Sequence, residues 1–358
     1  MAGSFPIEIA AQLAQIAVAA LGGFIFHLLG IPAAWMSGAM VAVVILGAFG
    51  RSRPLPRPLA DAAMLVSGAT MGGGITPEAL AAVTRYPASL ALLVLAVAAG
   101  TGASMIWLTR AAGWRRDDAL LASAPGALST VLIIAVERKA SVGAIVVVQS
   151  IRLFVLIALL PSLVVFLGGG APGSRLPGEG MPLESPAGLA AILVGGLALG
   201  LVLEHLRFAA PILLGATLVS ATLHATGFAP GVVPPPLAVV GLVLIGVFIG
   251  ERFRTLELTS LRRVLPAALG SLVLSTGVAM SLAAAASALA GVGLSEALVA
   301  FAPGGLEAMM VLALILGLDP LYVGVHHLAR FLGIAMVLPV AVGFLGRPQG
   351  EIAEPADS

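Results

Sequence analysis

The chain contains no cysteine. That removes disulfides, thiolate metal sites and cysteine nucleophiles in one step. Charge is scarce too: 10% of the 358 residues are Asp, Glu, Lys or Arg, against about 25% in a soluble domain. Histidine occurs five times, scattered except for His326 and His327. Neighbouring residues on a helix point about 100° apart, so that pair alone makes a poor chelate. No Lys or Arg precedes Arg51, so the first apolar run lacks the basic n-region of a signal peptide and reads as a mature helix. The Gly72-Gly73-Gly74 run has no Lys-Ser/Thr partner and is not a phosphate loop. A net charge of +1 with dispersed basic residues leaves no nucleic-acid footprint.

Apolar sequence is what the chain has in abundance: 59% hydrophobic residues and a mean hydropathy of +1.11. Runs of about 17–25 apolar residues recur along it, the mark of membrane-spanning helices. They fall at roughly 7–29, 31–50, 59–75, 87–109, 118–136 and 141–167, then 187–206, 209–226, 236–250, 265–290, 294–316 and 320–345. Its 44 Gly and 24 Pro lie largely inside these runs, where helix packing and helix breaks use them. An all-α polytopic membrane protein follows, with the lipid bilayer as its first partner. Segments 76–86 and 253–264 mix polar residues with Leu, Ala and Val and read as short interfacial helices.

The two sets of runs are copies. Ala124-Pro125-Gly126 returns 178 residues later as Ala302-Pro303-Gly304, and the same offset pairs Arg152 with Arg330 and Pro161 with Pro339. His27 pairs with His205, Gly68 with Gly246 and Gly72 with Gly250; both Gly-x-x-x-Gly pairs read as packing faces, and both His as interfacial. Residues 1–167 thus form a first membrane repeat, 168–186 an extramembrane linker, 187–346 a second repeat and 347–358 a tail.

Basic residues test the orientation of the copies. Twelve plain crossings divide the sixteen extramembrane Lys and Arg eight to eight, which orients nothing. If the run holding each Ala-Pro-Gly enters and leaves on one side, each half has five crossings and the second half is inverted. With the N-terminus cytoplasmic, fourteen basic residues then lie inside and two, Arg85 and Arg175, outside. Dropping the first span of each half gives twelve against four, so which run fails to cross stays open. The expected fold is two inverted repeats of about five spans, each with a broken or re-entrant Ala-Pro-Gly segment. The protein is expected in the bacterial inner membrane.

Three constellations could carry chemistry. Pro125-Gly126 and Pro303-Gly304 interrupt apolar runs at equivalent places, the best sequence pointer to a transporter binding site; their plainer reading is a pair of packing kinks. Arg152 and Arg330 lie too deep to snorkel and need a cavity or a partner. They contact substrate, tie carbonyls of the broken segment, or do both. Gln149 and His327 precede them by three residues and share their helix face, with His326 joining in the second half. Third, the copies differ where Ser129 faces Glu307 and Ser141 faces Asp319. Glu307 could carry a proton, bind Na⁺ or neutralise an Arg; Asp319, followed by Pro320, reads as a helix N-cap.

Ile31-Pro32-Ala33-Ala34-Trp35 with Gly38, and the two Ala-Pro-Gly…Arg…Pro blocks, resemble the bacterial AbrB-type membrane protein family over essentially the whole chain. Members carry labels such as ammonia monooxygenase and regulator of the expression of an alkylation-response gene. The family's name is shared with a small β-rich DNA-binding regulator that this sequence does not resemble. A monooxygenase implies copper or iron ligands, which these residues do not supply, so no enzyme and no cofactor are expected. The expectation is a secondary transporter of a small anionic solute, coupled to H⁺ or Na⁺, with a membrane sensor acting indirectly on gene expression as the alternative and a further copy of the chain as a candidate partner. The substrate site is expected at Arg152, Arg330, Glu307, Ser129, Gln149, His327, Pro125, Gly126, Pro303 and Gly304.

Overall fold

Proline opens many of the helices, at positions where its missing N–H costs nothing and its fixed φ suits the first turn. The computed structural model describes residues 5–73, 86–126, 128–167, 182–208, 210–254 and 258–345. Among them the first half gives α1 (Phe5–Leu28), α2 (Ala34–Ala48), α3 (Arg57–Gly72), α4 (Tyr86–Arg110), α5 (Arg116–Ser123), α6 (Leu128–Glu137) and α7 (Val142–Phe166). The second half gives α8 (Pro186–His205), α9 (Pro211–Ala225), α10 (Pro235–Gly250), α11 (Leu258–Ala290), α12 (Leu294–Phe301), α13 (Leu306–Ile315) and α14 (Pro320–Phe344). Pro186, Pro211, Pro235 and Pro320 each stand in a first turn. Asp319 caps α14 as its sequence position suggests, its carboxylate accepting from the N–H groups of Leu321 and Tyr322.

The duplication extends to element boundaries. Shifting α3, α5, α6 and α7 by 178 residues lands both ends of each on α10, α12, α13 and α14, and the paired lengths are 16, 8, 10 and 25 residues. Seven helices among the described residues are long and apolar enough to cross a membrane, and three shorter apolar helices accompany them. The chain is therefore a multi-spanning, all-helical membrane protein.

The repeats do not fold as separate units. Helices α1, α2, α3, α8, α9 and α10 pack into one bundle, and α4–α7 with α11–α14 into another, joined chiefly where α13 meets α3 and α10. Within the first bundle the contacts cross between repeats symmetrically: α3 lies on α9 as α10 lies on α2. Gly68 and Gly246 make this possible. A Cβ at Gly68 would strike the Leu213 carbonyl, and one at Gly246 the equivalent Met36 carbonyl. The small-residue pairs are the packing faces their spacing implied.

In the second bundle α4 packs on its own copy, α11. Gly100 faces Ser275, the Ser104 and Ser271 hydroxyls are 2.5 Å apart, and Trp107 Nε1 donates to Ala267 O at 3.2 Å. Positions rise along one helix as they fall along the other. The two copies therefore run antiparallel where they touch.

One expectation needs adjustment. Residues 258–264 do not form a separate interfacial helix; they are the first turns of α11, which runs on past Pro266. The backbone N–H that Pro266 lacks does not break a helix whose neighbouring turns are packed against α4. Segment 76–85, residues 168–181 of the linker and the tail lie outside the described residues, as do Arg85 and Arg175.

Candidate functional site

Each Ala-Pro-Gly separates two short helices, α5 from α6 and α12 from α13, with α5 ending at Ser123 and α12 at Phe301. A chain that leaves a helix exposes its last carbonyls, which in a membrane need donors from the protein itself. The long helix that follows supplies them. Arg152 of α7 donates Nη1 to Ser123 O and Nη2 to Ala124 O, both at 3.2 Å. Arg330 of α14 donates Nη1 to Ala302 O and Nη2 to Gly304 O, both at 2.5 Å. Gln149 Nε2 donates to Leu121 O at 3.0 Å, and His327 Nε2 meets the equivalent Val299 O at 3.0 Å. One frame, a carbonyl end held by an arginine and an amide or imidazole, is thus built twice. Both arginines are buried, 3% and 5% exposed. Of the two roles open to them in the sequence, tying the broken carbonyls is the one they perform in this state.

The breaks themselves differ. Gly126 turns with φ 85°, the left-handed region that glycine alone enters freely. Gly304 instead folds its N–H back to Ala302 O at 2.7 Å.

The two breaks meet. Pro125 and Pro303 line one cavity with Ser123, Phe301, Arg330 and the crossing of α4 and α11 at Gly100 and Ser275. Its volume is about 10 Å³, room for no more than one water. A serine chain runs from it, Ser123 Oγ to Ser104 Oγ at 2.9 Å and on to Ser271. A second cavity, about 60 Å³, lies on the far side of the breaks, bounded by Gly126, Gln149, Ser150, Arg152, Gly304 and, from the other bundle, Arg252. Arg252 follows α10, with its guanidinium 4.8 Å from the centre of the Phe248 ring. Phe154 of α7 and Phe253 pack edge-on at 5.4 Å beside it, a contact between the bundles.

The ends of the first broken segment are also close together. The Asp118 carboxylate, on α5, accepts the Ser141 N–H at 2.9 Å and its hydroxyl at 3.3 Å at the start of α7. Helices α5 and α7 then advance side by side, as the Gln149 and Arg152 bonds require.

Of the residues named from sequence, Pro125, Gly126, Pro303, Gly304, Arg152, Arg330, Gln149 and His327 converge on these breaks. Glu307 stands at the start of α13, half-buried, with its carboxylate beside Gly305 and no ion pair among the described residues. Arg330 is held by carbonyls and not by Glu307. The Ser129 side chain lies outside the described residues. His326 does not share Arg330's surroundings; it turns to α4, its Nε2 2.8 Å from Ser89 Oγ and its ring packed on Tyr86 and Tyr322. Sequence reading missed this group, and Arg252 with it. Arg252 has no charged counterpart in the first repeat, so no repeated signal drew attention to it. Among the described residues no group of three His, Asp or Glu could hold a metal ion.

Residues 35–346 match the family model described as "Transition state regulatory protein AbrB". The chain is also similar to "Uncharacterized protein YhjN" of Bacillus subtilis (strain 168), 24% identical over 363 residues, covering 94% of this chain and 93% of that protein.

Proposed function

We propose that this chain, which belongs to the AbrB family, is a secondary transporter that moves a small anionic solute across the bacterial inner membrane by alternating access. The observation that carries the reading is the division into two bundles, with both breaks gathered at the hinge-like contact between them. Alternating access needs two bodies that can shift around a fixed site, and broken helices at mid-depth supply such a site.

The topology we favour has five crossings per half and a re-entrant hairpin, α5–α6 in the first half and α12–α13 in the second. The bond from Asp118 to Ser141, which draws together the ends of the first segment, supports the hairpin. The antiparallel packing of α4 on α11 supports inversion. The fourteen-to-two distribution of basic residues favours a cytoplasmic N-terminus.

An anion suits the cavity where Arg152 and Arg252 face each other across the bundles. Arg152 has spent two donors on carbonyls, so Arg252 is the freer partner for a carboxylate. At about 60 Å³ the cavity is small in this state, and the bundles must part to admit a larger solute. Transport of this kind requires no catalysis, and without a nucleotide-binding motif the driving ion is H⁺ or Na⁺. The regulatory wording of the family description favours one second reading, a membrane sensor that binds solute without carrying it.

Counterflow in proteoliposomes with a panel of labelled short-chain mono- and dicarboxylates tests the choice. Transport predicts accelerated exchange that Arg252→Ala abolishes. Saturable binding without exchange, with or without an ion gradient, would sink the transporter and leave the sensor.

A further inference from the structure

The second break has a polar annex that the first lacks. Tyr86, Ser89, Asp319, Tyr322 and His326 gather where α4 meets the start of α14. Shifted by 178 residues, their counterparts are Val264, Ala267, Ser141, Ala144 and Val148. At the first break the equivalent places carry apolar side chains in four of five cases. The fold therefore does not require the annex, which points to a use beyond packing.

Hydrogen-bond valence separates its two histidines. Arg330 Nη2 is 2.6 Å from His327 Nδ1, and a guanidinium can only donate. His327 Nδ1 must accept, so its one hydrogen sits on Nε2 and goes to Val299 O. A second proton on His327 would break the bond to Arg330 and set two cations side by side. His326 is framed differently. Its Nδ1 lies 2.8 Å from the Tyr322 carbonyl, which fixes a hydrogen there. Its Nε2 meets Ser89 Oγ, which can also donate to Tyr86 O at 3.0 Å. When His326 is neutral, Ser89 donates to Nε2. When a proton from water forms the Nε2–H bond, Ser89 accepts it and turns its own hydrogen to Tyr86 O. The frame satisfies both states without moving an atom heavier than hydrogen.

We propose that His326, held between Tyr322 and Ser89, is a proton-binding site, while His327 beside it is locked in one tautomer by Arg330. The groups that face His326 are Tyr86 on α4, the Phe301 ring on α12, and Tyr322 on its own helix. Asp319 reaches the cluster through the Tyr86 hydroxyl at 3.4 Å, and Glu296 lies on α12 at the same end. These two carboxylates are half-buried, and Arg330 is reached through His327. A proton on His326 thus sits one residue from the imidazole that holds the second arginine cradle, where its charge bears on Arg330 and the break. This makes H⁺ the coupling ion; the coupling role rests on the transport reading, whereas proton binding does not.

The test is ¹⁵N-histidine NMR of the full chain in lipid nanodiscs between about pH 4 and 8, a range that brackets ordinary imidazole titration. His326→Val and His327→Gln, the first repeat's own residues, assign the signals. The expected result is that His326 changes from one N–H to two across the range while His327 keeps a single Nε2–H throughout. Ser89→Ala should lower the His326 midpoint, because the charged form loses the stronger bond. A parent His326 that never gains its second N–H overturns the proposal, as does a His327 carrying its hydrogen on Nδ1. Flux that fails while His326 titrates removes transport and keeps the proton site; flux that persists without that titration does the reverse.

Discussion

The mouths of the two broken segments have the same backbone plan and opposite fillings. At the first, Trp107, Asp118, Ser141, Ala144, Val264 and Ala267 surround an open vestibule of about 570 Å³. At the second, the equivalents of Ala144 and Val264 are Tyr322 and Tyr86, whose rings meet edge-on at 5.2 Å and close on His326 at 4.1 and 5.8 Å. A duplicated, antiparallel frame would by symmetry treat both ends alike. Among the described residues, side chains distinguish them: small ones at the first end, two tyrosine rings at the second.

The sharpest way to break that comparison is to give the second mouth the first one's residues. Tyr86→Val with Tyr322→Ala removes three ring contacts worth about 0.5–1.5 kcal/mol each beyond their area. A cysteine at Ser89, buried in the plug, should then react with an impermeant maleimide roughly tenfold faster or more, since about 1.4 kcal/mol is a factor of ten. An unchanged rate would mean that the rings do not form the seal.

The cradles come next. Arg330→Ala orphans Gly304 O and the His327 acceptor while Ala302 O keeps the Gly304 N–H, and Arg152→Ala orphans Ser123 O and Ala124 O. At about 1–3 kcal/mol for each buried group left unpaired, both variants should unfold earlier in detergent, and by similar amounts. A shift confined to one variant would say that the two cradles are not equivalent. Lysine should rescue neither, because a point charge does not span two carbonyls as a planar fork does. The smallest effect is expected at Glu307, which has no ion pair to lose among the described residues. Glu307→Gln should leave thermal stability within about 0.5 kcal/mol, the usual range for substitutions away from buried networks.

Much of this was legible in the sequence, and for a physical reason. Membrane helices must satisfy their backbone internally, so a Pro-Gly inside an apolar run and an arginine at depth cannot be incidental. Repetition then separated these residues from the chance matches of Leu and Ala. The cradle residues Gln149 and His327 followed from helical spacing alone. The grouping into two bundles was not legible. It depends on which helices meet across repeats, and close-packing glycines such as Gly68 do not name their partners. Repeat logic also hid what is not repeated. Tyr86 and Ser89 lie upstream of the aligned Ala-Pro-Gly blocks, so their replacement by Val264 and Ala267 passed unnoticed, while Glu307 drew attention through an equally plain mismatch.

The claim on which everything else depends is that the two copies face opposite sides of the membrane. Ala111 and Leu289 are repeat-equivalent and exposed, just past α4 and at the end of α11. In a chain free of native cysteine, single cysteines there can be probed with an impermeant maleimide added to sealed right-side-out and inside-out vesicles. The account predicts that Ala111→Cys reacts only from the cytoplasmic face and Leu289→Cys only from the opposite one. Reaction of both from the same face would contradict it.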